Sequence, residues 1–324
     1  MVEVMTRDEL SESVAAANVP TLILVVFQLT GDRRWLSDRY RVRRARGVSD
    51  NDSGGLSAGA IDEVRHAAVE AIERWRNGNP PAIESPNPSL LVEMLSTSMG
   101  EEIPPEYGPM LREEIRPAQA GSVGGHRAPA DGEIDGIVIG AGISGLCAAH
   151  ALARNDFSYM IIESADRVGG TWRDNRYPGA AVDTPSHLYS FSFAPNDWRR
   201  YFASREEIQR YLEEVAELLR VDDHARFNTR VTEARFDEEA NRWHVHVDGP
   251  DGTSIRLSAR YLISAVGAFN PPKFPGIPGL RSFGPHAHHT AEWPEHVDVA
   301  GKDVAVIGNG ASAMQLAPPR SRRS

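Results

Sequence analysis

Three glycines between residues 140 and 145 separate an aliphatic run from a run of small helix-forming residues. The stretch DGIVIGAGISGLCAAHALA, residues 135–153, is typical of a strand, a glycine turn and a helix. We expect Gly140 to permit the tight turn, Gly142 to let the backbone approach a phosphate, and Gly145 to let the helix pack against the strand. Free amide groups at such a helix start bind a pyrophosphate without a cationic side chain. The pattern predicts a dinucleotide site.

An acidic residue stands at the position that this kind of site needs for a ribose. Glu163 ends the next apolar run, FSYMIIES, 18 residues after Gly145. A carboxylate there can accept hydrogen bonds from a ribose diol. The alternative is a solvated glutamate at a strand end after a purely structural turn. A glycine motif alone is common, so the prediction rests on the strand, the helix and the glutamate together.

A second glycine turn occurs late in the chain. The stretch DVAVIGNGASAMQLA, residues 303–317, repeats the pattern with Ala313 in the third small position. Two such units in one chain indicate two dinucleotides, one retained and one exchanged, and therefore a redox enzyme. Pro318 and Pro319 are expected to end the second helix, so this second Rossmann-like unit is predicted to be incomplete.

The elements around these motifs predict an α/β protein with an additional helical part. Apolar residues at helical spacing, without alternating strands, indicate an all-α N-terminal domain. Strand, helix and strand patterns then indicate a Rossmann-like domain built from βαβ units, in which antiparallel strands are expected for TRVTEARFDEEANRWHVHVDG. The predicted organisation is a helical domain, a linker, a dinucleotide-binding domain, a connector and the start of a second dinucleotide-binding domain, at residues 1–116, 117–132, 133–270, 271–301 and 302–324.

Composition excludes several functional classes. The formal charge of −10 argues against nucleic acid as a partner, and the seven arginines between Arg33 and Arg46 are interpreted as a solvated face. The single cysteine, Cys147, excludes an internal disulfide and is interpreted as a core residue. Residues 19–29 are too short an apolar run to span a membrane, and no signal peptide opens the chain, so a cytoplasmic location is expected.

Taken together, five motifs resemble those of the Baeyer–Villiger flavoprotein monooxygenases. They are GAGISG, Glu163, GGTW at residues 169–172, YPGAAVD at residues 177–183 and HTAEWP at residues 289–294. The stretch NVPTLILVVFQLTGD further resembles the helical extension of the 4-hydroxyacetophenone monooxygenase group. The resemblance implies tightly bound FAD, NADPH as hydride donor, and O2 forming a flavin peroxide that converts an aryl or other lipophilic ketone into an ester. Residues 133–270 would then bind FAD, and residues 302–324 would begin the NADP-binding domain.

The resemblance also implies a set of site residues. Asp183 would lie at the active site beside both cofactors, where it would position a cation. The FAD-binding set would be Gly140, Gly142, Ser144, Gly145, Glu163, Gly170, Thr171, Trp172, Asp183, Tyr189 and Val231, and the NADPH pyrophosphate would meet Gly308, Gly310, Ser312 and Ala313. No metal is predicted, because no carboxylate or cysteine pattern completes a site with the histidines at positions 286, 288 and 289.

The sequence departs from the family pattern in two places. Pro285 stands where the family fingerprint has glycine, and Gly284 comes one position early, so the connector is expected to turn differently. The family places an essential arginine and the residues that read the NADPH 2'-phosphate after the second glycine motif, beyond Ser324. A truncated chain without turnover of its own is therefore expected.

Two alternatives remain open from the sequence. One is a flavin monooxygenase that oxygenates nitrogen or sulfur. The other is a non-catalytic, FAD-binding or oligomerising remnant, in which the apolar residues 22–27 supply a homodimer face on the N-terminal helical domain. For that run, burial in the core of its own domain is the competing interpretation.

Overall fold

The structure, a computed structural model, divides into two compact units, residues 1–117 and residues 118–324. It describes residues 5–43, 52–115, 134–268, 272–294, 296–297, 299 and 301–321. The linker predicted at residues 117–132 lies outside the described residues.

The first unit is helical, as predicted. Its α-helices are α1 (Arg7–Ala16), α2 (Val19–Thr30), α3 (Ala58–Arg76), α4 (Pro88–Met99) and α5 (Gly108–Glu114), with short 3-10 helices at Arg33–Leu36 and Pro105–Tyr107. Their ends follow local chemistry. The Asn18 side chain accepts a hydrogen bond from the Thr21 N–H at the start of α2, and Gly31 ends that helix with φ 69°.

The apolar run in α2 lies inside this unit. Ile23, Val26 and Phe27 are buried at 0–1% exposure, and α2 packs against α3 and α4. Trp35 and Val64 join the same core. The homodimer face predicted on residues 22–27 is therefore wrong for the side chains that dominate the run, because they are already covered by helices of their own chain.

The second unit is built on one six-stranded sheet. In chain order its elements are β1 (Ile134–Ile139), α6 (Ile143–Arg154), β2 (Tyr159–Ile162), α7 (Thr171–Asp174), α8 (Arg205–Leu218), β3 (Ala225–Arg226), β4 (Arg230–Asp237), β5 (Arg242–Asp248), β6 (Ser254–Ser264) and α9 (Ala311–Ser321). Short 3-10 helices lie at Val221–Asp223, Leu280–His286 and Thr290–Glu292. The strand order is β3-β2-β1-β6-β5-β4.

Parallel and antiparallel pairing meet in this sheet. Strand β1 is parallel to both β2 and β6, and β3 is parallel to β2. Strands β4 and β5 pair antiparallel, as the alternation in their sequence predicts, and β5 and β6 also pair antiparallel. Val138 and Ile161 contribute to a core that includes Leu146 of α6 and Ile208 and Leu212 of α8. The predicted Rossmann-like α/β fold is confirmed.

Three local expectations are wrong. Residues 302–309 form no strand, and Val306 and Ile307 are exposed there, because no other strand of the described chain pairs with this segment. Helix α9 continues to Ser321, past both prolines. Cys147 is exposed rather than in the core, since α6 turns other residues inward.

Candidate functional site

The first glycine turn is shaped by backbone contacts that exclude a side chain. Gly140 has φ 103°, and a methyl group there would lie 2.6 Å from the carbonyl oxygen of Ala265. A methyl group on Gly145 would lie 2.0 Å from the carbonyl oxygen of Gly140. Both distances are far inside van der Waals contact, so strand, turn and helix approach this closely only with glycine at these positions.

Helix α6 opens next to this turn with its first amide groups uncovered by any side-chain cap. Its N-cap is Gly142, whose backbone is extended and which makes no side-chain hydrogen bond to the helix. The first turn of a helix leaves its N–H groups without intrahelical acceptors. Ser144 is exposed in that turn. Open amides at the positive end of the helix dipole suit a pyrophosphate, so this part of the chain fits such a group.

Glu163 lies beside this turn, at the end of β2, with 5% of its surface exposed. Its Oε2 accepts a hydrogen bond from the Ala141 N–H at 2.8 Å, and its Oε1 accepts one from the Ala165 N–H at 2.8 Å. Glu163, which is predicted to bind a ribose, thus also binds the backbone of the glycine turn through Ala141. Each carboxylate oxygen has two lone pairs, so Oε2 keeps one for a further donor.

A buried guanidinium completes the surroundings of this carboxylate. Arg173 places Nη1 3.2 Å from Glu163 Oε1 and bonds the Asp174 carboxylate through Nε and Nη2 at 2.7 and 3.0 Å. Desolvation works against the charge of Arg173. The hydrogen bond to Asp174 and the charges of Glu163 and Asp174 outweigh it, so the pKa of the guanidinium is raised above its ordinary value. Sequence reasoning missed Arg173, because an arginine inside GGTWRDN carries no signal of burial.

The GGTW segment folds back onto the glycine turn. The Gly169 N–H donates to the carbonyl oxygen of Ala141 at 3.0 Å. Gly170 has φ 52°, and a methyl group there would lie 3.2 Å from Cα of Gly142. The two glycine segments therefore meet backbone to backbone, beside the start of α6.

Two aromatic residues predicted to line a flavin lie together. Trp172 is 8% exposed, and its Nε1–H donates to the hydroxyl oxygen of Tyr189 at 3.1 Å. The two rings meet edge to face with centroids 5.6 Å apart. Thr171, in the same segment, is exposed.

Asp183 is exposed and follows a segment that is fixed on two sides. The Val182 N–H donates to the carbonyl oxygen of Ala203 at 3.0 Å, and the Arg205 N–H donates to that of Ala180 at 2.9 Å. These bonds attach the segment to the start of α8. The exposed Asp183 therefore follows a backbone segment that is fixed by hydrogen bonds.

Val231 is the second residue of β4, and the residues just before β4 are bonded to the backbone that follows β2. The Thr229 N–H donates to the carbonyl oxygen of Glu163 at 2.9 Å, and the Asn228 N–H donates to that of Ala165 at 2.8 Å. Val231, which is half-buried, follows Thr229 by two positions, so these backbone bonds fix the start of β4 next to Glu163.

The second glycine turn differs from the first. Gly308 has φ 123°, yet a methyl group on Gly308 or Gly310 would meet no atom within 4 Å. Both glycines are exposed, while Ser312 and Ala313 are half-buried at the start of α9. Helix α9 is held instead through Gln315, which bonds Tyr177 and Ala181 and which the sequence pattern did not indicate. The HTAEWP motif also reaches this region, because its Trp293 packs against the apolar cluster of Tyr177, Ala180 and Leu316.

The glycine turn between β1 and α6, with an acidic residue at the end of β2, defines a Rossmann-like dinucleotide-binding protein. The family model of the NAD(P)-binding Rossmann-like domain matches residues 138–205, and that of L-lysine 6-monooxygenase/L-ornithine 5-monooxygenase matches residues 183–319. The chain is similar to an uncharacterized monooxygenase, y4iD, of Sinorhizobium fredii, with 41% identity over 313 residues, which cover 96% of this chain and 47% of that protein.

Two further similarities involve a narrower group of proteins. A Baeyer–Villiger monooxygenase of Streptomyces coelicolor is 47% identical over 183 residues, which cover 56% of this chain and 34% of the relative. A crystal structure of OTEMO in complex with FAD and NADP superposes with a TM-score of 0.54 at 36% identity, covering 61% of this chain and 38% of that one. The chain is thus similar to Baeyer–Villiger monooxygenases over somewhat more than half of its length. The chain spans less than half the length of each of these three proteins.

Proposed function

We propose that this chain contains the FAD-binding part of a monooxygenase that uses NADPH and O2 to insert one oxygen atom into a ketone, giving an ester. Support comes from the Baeyer–Villiger relatives and from a neighbour that holds FAD and NADP. The observation that carries the proposal is the contact of Gly145 with Gly140, where a methyl group would lie 2.0 Å from a carbonyl oxygen. This contact sets the uncapped start of α6 directly beside the end of β1, where a dinucleotide pyrophosphate binds in Rossmann-like folds.

The adenosine half of FAD would lie along the ends of β2 and β4. The amides that begin α6 would bind the pyrophosphate beside Gly142 and Gly170, since neither glycine has a side chain to cover them. Oε2 of Glu163 would accept a ribose hydroxyl with its remaining lone pair. Val231 would contact the adenine.

The flavin half would lie near GGTW and the segment that ends at Asp183. Bound FAD would supply hydride storage and the activation of O2. Trp172 and Tyr189, joined by their hydrogen bond, would cover the flavin and exclude water that diverts oxygen into hydrogen peroxide. Asp183 would hold a cation beside the negative charge that develops during oxygen transfer, and Thr171 would bond the flavin.

NADPH would bring its pyrophosphate to the second glycine turn. Gly308 and Gly310 precede α9, Ser312 and Ala313 lie in its first turn, and the left-handed φ of Gly308 turns the backbone toward that helix. No packed strand lies before this turn among the residues that the structure describes. The NADPH assignment therefore rests on the motif and on the relatives.

The proposal is tested first by the visible spectrum of the purified chain. We expect flavin absorption bands at about one FAD per chain after reconstitution, because the glycine cradle is formed by residues of this chain alone. A chain that folds and binds no FAD would contradict the proposal. NADPH oxidation with a lipophilic ketone, followed by analysis for the ester, tests the activity.

A second candidate is oxygenation of nitrogen, which the family model of L-lysine 6-monooxygenase/L-ornithine 5-monooxygenase at residues 183–319 favours. Both reactions need the same FAD and NADPH, so cofactor binding does not separate them. Product analysis with a ketone and with a primary amine does. An N-hydroxylated product without any ester would replace the first proposal by this one.

We further propose that the substrate is an aryl ketone, as in the 4-hydroxyacetophenone monooxygenase group. Support comes from the helical first unit, over which the similarity to the Sinorhizobium protein also extends. Competition between 4-hydroxyacetophenone and cyclohexanone for ester formation tests this assignment. Preference for cyclohexanone would remove it and leave the ketone-to-ester reaction intact.

A further inference from the structure

One amide side chain connects α9 to the segment that ends at Asp183. Gln315 Oε1 accepts a hydrogen bond from the Tyr177 hydroxyl at 2.7 Å, and Gln315 Nε2 donates to the carbonyl oxygen of Ala181 at 2.8 Å. The Ala181 N–H lies 3.4 Å from the same Oε1. Gln315 thus pairs with both polar groups of one backbone residue, as a neighbouring strand does.

An apolar contact lies next to these hydrogen bonds. Leu316 is 5% exposed and packs with Tyr177 and Ala180, with Trp293 against the same cluster. Met314, the preceding neighbour of Gln315, is 70% exposed. Helix α9 therefore packs against the rest of its own unit through one face.

The opposite side of the same segment is bonded to the start of α8. Ala180 and Val182 each share a backbone hydrogen bond with residues 203–205. The segment thus lies between α8 and α9, and only Val182 separates the residue that Gln315 binds from Asp183. A shift of α9 would act directly on the backbone that carries this carboxylate.

We propose that Gln315 is a positioning residue that fixes the helix of the second glycine turn to the backbone that carries Asp183. The proposal rests on the proposed function, because α9 also carries Ser312 and Ala313, which are assigned to NADPH. Binding of the nucleotide at the start of α9 is thereby transmitted, through Gln315, to the segment at residues 177–183. One side chain links the NADPH site to the FAD site.

Four variants separate this role from general packing. Gln315→Leu keeps the bulk and removes both hydrogen bonds. Gln315→Glu keeps an acceptor for the Tyr177 hydroxyl and loses the donor to Ala181. Tyr177→Phe removes a single oxygen and folds even where the leucine variant does not. Met314→Leu changes an exposed neighbour on the same helix and is the matched control.

Amide hydrogen exchange of the peptide at residues 177–183, measured without nucleotide, tests whether Gln315 stabilises this segment. We expect about tenfold faster exchange in Gln315→Leu, a smaller increase in Gln315→Glu and Tyr177→Phe, and no change in Met314→Leu, since the first variant removes both hydrogen bonds and the next two remove one each. Equal exchange in Gln315→Leu and the control would overturn the proposal. Where the leucine variant does not fold, equal exchange in Tyr177→Phe and the control would overturn it.

The same measurement with saturating NADP+ tests the transmission. We expect slower exchange at residues 177–183 in the unmodified chain and no such response in Gln315→Leu. If NADP+ binds, as equilibrium dialysis reports, and exchange in the unmodified chain does not change, transmission through Gln315 is wrong. If NADP+ does not bind at all, the NADPH assignment of the second glycine turn fails, and the nucleotide-free exchange still judges the Gln315 contact.

Discussion

Glu163 and Arg173 form a buried ion pair, with Nη1 3.2 Å from Oε1 and both residues less than 8% exposed. The other oxygen of Glu163 is bonded to the glycine turn through the Ala141 N–H. One carboxylate therefore connects the glycine turn, where we propose that the pyrophosphate binds, to the GGTW segment. The integrity of the nucleotide site and the stability of the fold depend on the same pair.

Replacing Arg173 by methionine is expected to destabilise the chain by about 3–5 kcal/mol, because it leaves a buried carboxylate without its cation. The double variant Arg173→Met with Glu163→Gln should recover part of that loss, since no buried charge remains. Urea unfolding measures both. Arg235→Met, at an exposed ion pair on β4, is the control and should change stability by about 0.5 kcal/mol or less. Equal effects of Arg173→Met and Arg235→Met would contradict the buried pair.

Alanine substitutions at two glycines of the first turn are expected to affect different properties, FAD affinity in one case and stability in the other. A methyl group on Gly142 would lie 3.7 Å from Cα of Gly170, an ordinary contact, so Gly142→Ala should fold normally. The added methyl faces the proposed pyrophosphate, and FAD affinity should fall about tenfold or more. Gly145→Ala should instead cost about 3 kcal/mol or more through its backbone clash. Fluorescence titration with FAD and urea unfolding separate the two effects.

Gly310→Ala provides the control for both glycine variants, because a methyl group there meets no atom within 4 Å and the backbone φ is not left-handed. Its stability and FAD affinity should match those of the unmodified chain. A loss of FAD affinity in Gly310→Ala equal to that in Gly142→Ala would remove the assignment of FAD to the first turn.

Asp183→Asn is expected to leave FAD bound and to lower ester formation about 100-fold, because a preorganised charge beside the reacting atoms is lost. Asp183 is exposed, so the fold should tolerate the change. Asp197→Asn, at another exposed carboxylate of the same unit, is the control. The measurement is the amount of ester and of hydrogen peroxide formed per NADPH oxidised. It is made for both variants and for the unmodified protein in a form that shows turnover. Unchanged ester yield in Asp183→Asn would contradict its role.

The start of α8 should lose stability in acid. Glu207 accepts a hydrogen bond from the Ser204 N–H, which holds the pKa of that carboxyl below its ordinary value despite some desolvation. A carboxyl with a lowered folded pKa stabilises the fold above its unfolded pKa of about 4.3, and this contribution disappears as pH falls through the folded pKa. Unfolding of the unmodified chain and Glu207→Gln should therefore differ at pH 7 and converge near pH 3. A constant difference across this range would contradict the capping interaction.

Local patterns in the sequence predicted much of the second unit. The β1, α6 and β2 elements follow from an aliphatic run, glycines and small helix formers, which act over a few residues. The antiparallel β4 and β5 follow from alternation around a turn. Long-range contacts carried no such signal. Nothing near Gln315 in sequence indicates Tyr177, and nothing near Arg173 indicates that its charge is buried against Glu163.

The wrong predictions have the same origin. Residues 303–307 have the composition of a strand, but a strand needs a neighbour, and that is a property of the whole sheet. The apolar side of α2 suited a dimer face as well as a core until α3 and α4 were seen to cover it. The composition of a segment shows which of its side chains can be buried. It does not show which other segments of the chain cover them.

The contact of Gly140 with Ala265 also bears on how the chain matures during synthesis. Gly140 packs against the backbone of Ala265, which follows β6. Strand β6 pairs with β1, and the two strands are separated by more than a hundred residues of chain. A growing polypeptide on the ribosome therefore displays β1 with one edge unpaired until β6 has emerged. The glycine turn at residue 140 is therefore completed only after β6 has been synthesised.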